Sequence, residues 1–232
     1  MKMKFADAKD ILTIDTEDNE KLLSRSDEIN TTNDGNLQRE ITAALKKTIE
    51  KNNLTALSAN AIGYDKRIFC IKFDEEIKTF INPVIMKAEG LQLSREKCTS
   101  IPGKEFIVPR NTTLNVIYQR PMGKIESRQI VGLAAFIFQH EVQHLDGVLL
   151  SDFALEIDDE WDKATDEERQ EVINYYLDSL DIKAKELDKE IQEDPELKKV
   201  SDAIDFMASV YKGETKLNDS SSWFLLKFGG EY

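Results

Sequence analysis

Residues 130–146, IVGLAAFIFQHEVQHLD, form a long apolar run that ends in the chain's only two histidines, His140 and His144. A stretch this apolar reads as a buried helix, with Gly147 placed as its C-cap. On a helix, residues four apart project from one face, so both imidazoles can reach one ion. H-E-x-x-H is the usual way to build such a site, with Glu141 beside the metal as general base. Two histidines without a ligand are the blander alternative, and a third ligand is still required. There is no H-x-x-G-x-x-H continuation.

Cys98, in the polar segment REKCTSIPG, stands just before a turn signal and can serve as that third ligand. One Cys and two His leave a fourth tetrahedral position open, as catalytic sites do. Taken alone, a lone cysteine is more often a small buried hydrophobe. The other cysteine, Cys70, lies in the alternating stretch RIFCIKF. The start, MKMKFADAKDILTID, has no apolar leader core, which predicts a cytoplasmic setting with free thiols or a metal ligand in preference to a disulfide. No apolar run is long enough to span a membrane.

The rest of the chain gives the frame. Leu37, Ile41, Ala44, Leu45 and Ile49 set an amphipathic helix within 36–53. Short β-like runs follow at 66–73, 78–86, 105–110 and 113–119, divided by turn signals at Asp74, Asn82-Pro83, Ile101-Pro102-Gly103 and Pro121-Met122-Gly123. A helix, several antiparallel strands and a central helix make an α+β pattern. Thr165 and Glu168 form a capping-box signature, and an apolar stripe runs on through Val172, Ile173, Tyr176, Leu180, Ala184, Leu187 and Ile191. A second helix is expected over 197–211, and the cluster WFLLKF at 223–228 needs cover on the domain or on a partner. The expected division is a metallohydrolase domain at 1–160 and an acidic, mainly helical extension at 161–232.

Charge sharpens that division. The chain carries a net charge of -13. Residues 151–232 hold 23 Asp and Glu against 10 Lys and Arg, whereas residues 1–150 hold 21 of each. Such a balance argues against direct nucleic-acid binding, which needs a basic surface.

Three ordered motifs carry a resemblance to the peptide deformylase family: Gln139-His140-Glu141-Val142-Gln143-His144, then Glu96-Lys97-Cys98-Thr99-Ser100 before IPG and VPR, and a worn first block in LTALSANAIGYDKRIFCI at 54–71. The resemblance covers roughly residues 10 to 180. It implies a deformylase-like α+β fold and hydrolysis of the formyl group from formyl-methionyl peptides or nascent chains. It also implies one divalent metal on Cys98, His140 and His144, usually Fe(II), with Zn or Ni as substitutes. Glu141 would carry the proton from the attacking water to the leaving amine. The backbone N–H of Thr99 would donate to the oxyanion, and Glu96 with Arg110 would brace the cysteine loop. Leu133, Phe136 and Ile137, with Thr55 and Ala56 of the first block, would line the methionine pocket.

This chain departs from the family at several of those positions. Ala61 stands where the family has a glutamine whose amide helps hold the oxyanion, and Asn60 beside it carries an amide that could substitute. Leu54 and Ala56 replace the two glycines of the same block. Lys97 and Thr99 replace a glycine and a leucine, Glu105 a basic residue, and Gln143 an aspartate. Two further readings follow from these departures. One is a deformylase-fold protein acting as a binding or assembly component, for which a bacterial virus is one setting, with a partner on the extension. The other is a metal hydrolase acting on a different amide.

Overall fold

The computed structural model describes residues 6–17, 19–74 and 76–190. A single antiparallel sheet forms the frame, in the order β1 (Ala56–Ser58), β2 (Ile68–Phe73), β3 (Glu76–Cys98), β4 (Ile101–Gln119), β5 (Ile125–Val131). A short strand, β6 (Leu155–Ile157), adds to the other end of β4 through Glu105↔Ile157 and Ile107↔Leu155. Three helices matter most: α2 (Gly35–Asn52), the central α3 (Leu133–Leu145) and α5 (Asp166–Glu190). Short helices α1 (Glu20–Leu23) and α4 (Leu150–Phe153) flank α3. No helix among the described residues is long and apolar enough to cross a membrane.

α2 forms where the apolar spacing places it, and Ile41, Ala44, Leu45 and Ile49 are all buried. They join Leu57, Ile68, Val108 and Leu149 in one apolar cluster. Across the sheet Phe69, Phe80 and Phe138 interlock, with ring centroids 5.0 Å apart for Phe69–Phe138 and 5.4 Å for Phe80–Phe138, both edge-on. That is the preferred arrangement of aromatic quadrupoles. The capping box at α5 is present: Thr165 N donates to Glu168 Oε2 at 2.7 Å, and Glu168 N to Thr165 Oγ1 at 3.2 Å. Of its stripe, Ile173 is buried and Tyr176 half-buried, while Val172 is exposed. The helix expected at 197–211 and the cluster at 223–228 lie outside the described residues.

Three expectations about local structure need correction. The central helix does not begin at Ile130, because Ile130 and Val131 end β5, a strand absent from the sequence reading. Gly132, at φ 62 and ψ -139, turns the chain from strand to helix in a conformation costly for other residues. Asn82-Pro83 does not end a strand either; Asn82 adopts φ 46 within a register shift of β3, so the strand bends and continues to Cys98. The turn expected at 101–103 is instead the two-residue link Thr99-Ser100, since Ile101 already pairs with Cys98. Pro102 and Gly103 lie inside β4.

Gly147 follows α3 at φ 73, and a Cβ there would stand 2.7 Å from the backbone oxygen of Leu23. The backbone conformation and the close approach both demand glycine. Gly147→Ala should therefore destabilise by about 2 kcal/mol or more, lowering Tm by roughly 4–8 °C in a chain of this size. A melting curve followed by circular dichroism checks it, and an unchanged Tm would mean the α1–α3 approach is looser than described.

A candidate metal centre at the end of the central helix

Cys98 is the last residue of β3, and α3 lies against the sheet so that His140 and His144 face it. One ligand atom from each of the three lies within 4.8 Å of the others, and all three residues are buried. Cys98 Sγ is 3.1 Å from His144 Nε2, and the imidazole centroids are 4.9 Å apart. Both cysteines are free thiols; Cys70 is buried with its sulfur beside the Thr79 hydroxyl and is not one of the three grouped residues.

The surroundings orient His140. Glu96 Oε2 lies 3.1 Å from His140 Nδ1 and so directs Nε2 of that ring toward Cys98 and His144. Arg110 holds the same carboxylate by two bonds, Nε to Oε1 at 2.8 Å and Nη2 to Oε2 at 2.7 Å, and donates through Nη1 to Gln143 Oε1 at 2.7 Å. Burial alone would raise the Glu96 pKa, but the charge and hydrogen bonds of Arg110 outweigh it, with His140 adding to them, and hold it down at about 2. A buried pair with such geometry fixes a ligand's orientation more than it adds stability. Gln143, where the resemblance implies an aspartate, keeps the acceptor for Arg110 without a second negative charge.

The helix itself is pinned at its middle and at its C-terminal end. The Gln139 amide donates to Asn111 O and Ala135 O, each at 2.9 Å, and its oxygen accepts from Asn111 N at 3.0 Å. At the far end, where helix carbonyls lack partners, Arg67 donates to Leu145 O at 3.1 Å and Asn60 to His144 O. Asn60 also donates to Leu22 O at 3.3 Å. Its amide is thus committed to α1 and α3, so it is not the substitute oxyanion donor. A single 3-10 turn over Asn60–Ile62 aims it that way. The sequence reading gave Gln139 and Asn60 no such clamping role, because a clamp on a backbone carbonyl has no sequence signature.

Titration states suit a metal. Burial, then the nearby His140 and Arg110, lower the His144 pKa well below the ordinary value and keep the ring a neutral ligand. Burial pushes the Cys98 thiol up to about 12, although bonds from Ser100 and Ile101 act against it. Only a strong positive charge beside it would make it a thiolate near neutral pH, as a divalent ion does. Glu141 is pushed up to about 8, first by burial, with the Ser58 hydroxyl acting against the shift and Glu96 with it. Glu141 Oε2, Ser58 Oγ and His144 Nδ1 are all buried, and none makes a hydrogen bond of ordinary geometry among the described residues, so Ser58 acts on Glu141 only weakly. An N, N, S donor set of this kind fits zinc, iron or nickel, and does not fit magnesium or calcium.

The other named residues are placed less closely. Thr99 sits half-buried in the turn directly after Cys98. Ala61 is buried in the apolar cluster, and its carbonyl accepts from Leu12 N at 2.7 Å. Phe136 and Ile137 are buried on α3, with Ile137 among the interlocked aromatics, while Leu133 is exposed at the helix start. Ala56 is buried and Thr55 half-buried on the β1 side, against which α3 packs. Glu105 faces Arg95 and stands 4.0 Å from Lys97.

A buried Cys/His/His centre on an α+β frame, with a glutamate between the histidines, defines a metal-dependent hydrolase. The chain belongs to the polypeptide deformylase family, whose model matches residues 9–159. It is similar to the peptide deformylase of Dictyoglomus turgidum, 34% identical over 110 residues that span 47% of this chain and 72% of that protein. Its structure is similar to that of peptide deformylase from Thermotoga maritima, with a TM-score of 0.57, 27% identity, and 62% of this chain and 96% of that one covered. The Met-Ala-Ser-bound class I type b peptide deformylase from Acinetobacter baumannii shares the fold at a TM-score of 0.57 and 23% identity, over 64% of this chain and 99% of that one.

Proposed function

We propose that this chain removes the formyl group from N-formyl-methionyl peptides, with Glu141 as the proton carrier. The observation that carries the reading is the buried Cys98, His140 and His144 set with the carboxylate of Glu141 in the same buried region. Bound on those three residues, a divalent metal (Fe(II) by family resemblance) would lower the pKa of water towards neutrality and polarise the formyl carbonyl. Burial pushes Glu141 above the ordinary carboxylate range, and the positive charge of a bound metal would favour its ionised form, so it can take a proton near neutral pH and release it to the leaving amine. The Thr99 N–H, next to Cys98, is the backbone donor for the oxyanion. Leu133, Phe136 and Ile137 with Thr55 and Ala56 form the methionine pocket. The Acinetobacter relative bound to Met-Ala-Ser supports a peptide of that kind as substrate.

Ala61 offers no side-chain donor, and losing one oxyanion donor costs on the order of 10²- to 10³-fold in rate. Protein loaded with Fe(II) without oxygen should therefore hydrolyse formyl-Met-Ala-Ser slowly. Ala61→Gln should raise kcat/KM by roughly 10- to 100-fold. Because Ala61 is buried in an apolar cluster, the same change should cost about 1–3 kcal/mol of stability by overpacking. Metal-loaded wild type and Ala61→Gln that both leave the peptide intact would defeat the deformylase reading.

A further inference from the structure

A groove of about 640 Å³ lies between the β2–β3 hairpin and β5. Phe73, Ile77, Phe80, Tyr118 and Ile130 give it an apolar floor. Its rim is basic in a chain of net charge -13: Lys46, Lys78, Arg120 and Arg128 against two carboxylates. Glu126 serves both Arg120 and Arg128, and Glu76 meets Lys78, so two positive charges are left over. One wall is β5, which pairs only with β4 among the described residues and exposes Val131 and Ile125. An open strand edge beside apolar side chains is a surface that needs cover.

We propose that this groove is covered by the chain's own segment Trp223–Phe228, WFLLKF. Five of its six residues are large and apolar, and Asp219 and Glu231 flank it. The one other residue is Lys227, and over residues 213–232 Glu214, Asp219 and Glu231 exceed Lys216 and Lys227 by one charge, opposite in sign to the rim. From Glu190, the 32 residues 191–222 can span roughly 100 Å when extended, enough to reach any face of a domain this size. A tethered segment binds at an effective concentration in the millimolar range, so modest contacts hold it in place.

Trp223 reports on this directly, since Trp161 is the only other tryptophan. In full-length Trp161→Phe, Trp223 emission should be blue-shifted and shielded from acrylamide, compared with a free peptide of residues 213–232. Arg128→Glu with Val131→Glu changes two exposed rim positions. It should red-shift that emission and raise quenching several-fold, with the far-UV spectrum unchanged. Should Trp161→Phe not fold, the same quantity follows from the difference in emission between the full chain and one truncated after Lys212, with and without the rim changes. Trp223 quenched as freely as in the peptide, or insensitive to the rim changes, overturns the proposal. A shift that grows with protein concentration alongside dimers in gel filtration overturns it in favour of a second copy. None of these readings depends on the hydrolytic reaction.

Discussion

Glu141→Ala should abolish turnover of formyl-Met-Ala-Ser while the protein keeps its metal. General acid–base groups contribute typically about 10²- to 10⁴-fold, and in the proposed mechanism one group serves both proton transfers, so a loss of about 10³-fold or more is expected. Glu141 does not belong to the Cys/His/His group, its buried Oε2 makes no hydrogen bond of ordinary geometry among the described residues, and the Ser58 hydroxyl is the neighbour that favours its ionised form. Removing a buried carboxyl whose Oε2 is unsatisfied should cost little stability, and it spares Cys98 the electrostatic effect of Glu141. Metal content by elemental analysis should stay near one ion per chain, and the melting temperature should hold or rise. Loss of metal together with activity would make Glu141 a structural element of the site and remove it from the mechanism. Glu141→Gln is the useful companion. It keeps the shape and cannot carry the proton, so it should be as inactive as the alanine variant.

The split between what was legible in the sequence and what was not follows the kind of interaction. His140 and His144 were legible because helical spacing alone puts them on one face. Cys98 needed motif order, because 41 residues separate it from His140 and only the antiparallel return of β4 brings them together. Glu96 with Arg110 belongs to the same case: they lie on paired strands, Glu96 opposite Phe106 and Arg110 opposite Gln92, and only the long arginine side chain closes that offset. The strand β5 was missed because IESRQIV is polar on both sides: it lies at the sheet's edge, and five of its seven residues are exposed. Without a buried face there is no alternation to read. A turn was read at Asn82-Pro83 inside β3 for the opposite reason, since a proline that ends most strands is tolerated here at a bulge. Asn60 shows the limit for the site. Its residue type and neighbourhood suggested a donor to substrate, and only the 3-10 turn reveals that its amide faces the carbonyl of His144.

His144→Ala should reduce bound metal from near one ion per chain to a small fraction after dialysis, and eliminate activity with it. His144 supplies one of three ligands, and its neutral form is enforced by burial and by neighbouring positive charge. The remaining pair would leave Cys98 as a thiol raised by burial to about 12. With less metal charge held nearby, the thiolate that completes the site is harder to form. The loss is therefore greater than one ligand's share, because ligand removal and thiol protonation reinforce each other. Stability should follow in step: a metal that binds only the folded chain adds RT ln(1 + [M]/Kd), about 2.7 kcal/mol at a hundredfold excess over Kd. Wild type should thus lose several degrees of Tm on chelation, while His144→Ala should show almost no response to chelator or to added Fe(II) or Zn(II). Cys98→Ser offers the contrast, as an oxygen ligand keeps the geometry and weakens the affinity for these ions. Should His144→Ala bind metal as tightly as wild type and melt at a chelator-sensitive temperature, another residue completes the set. The assignment of the centre would then fail at its third ligand.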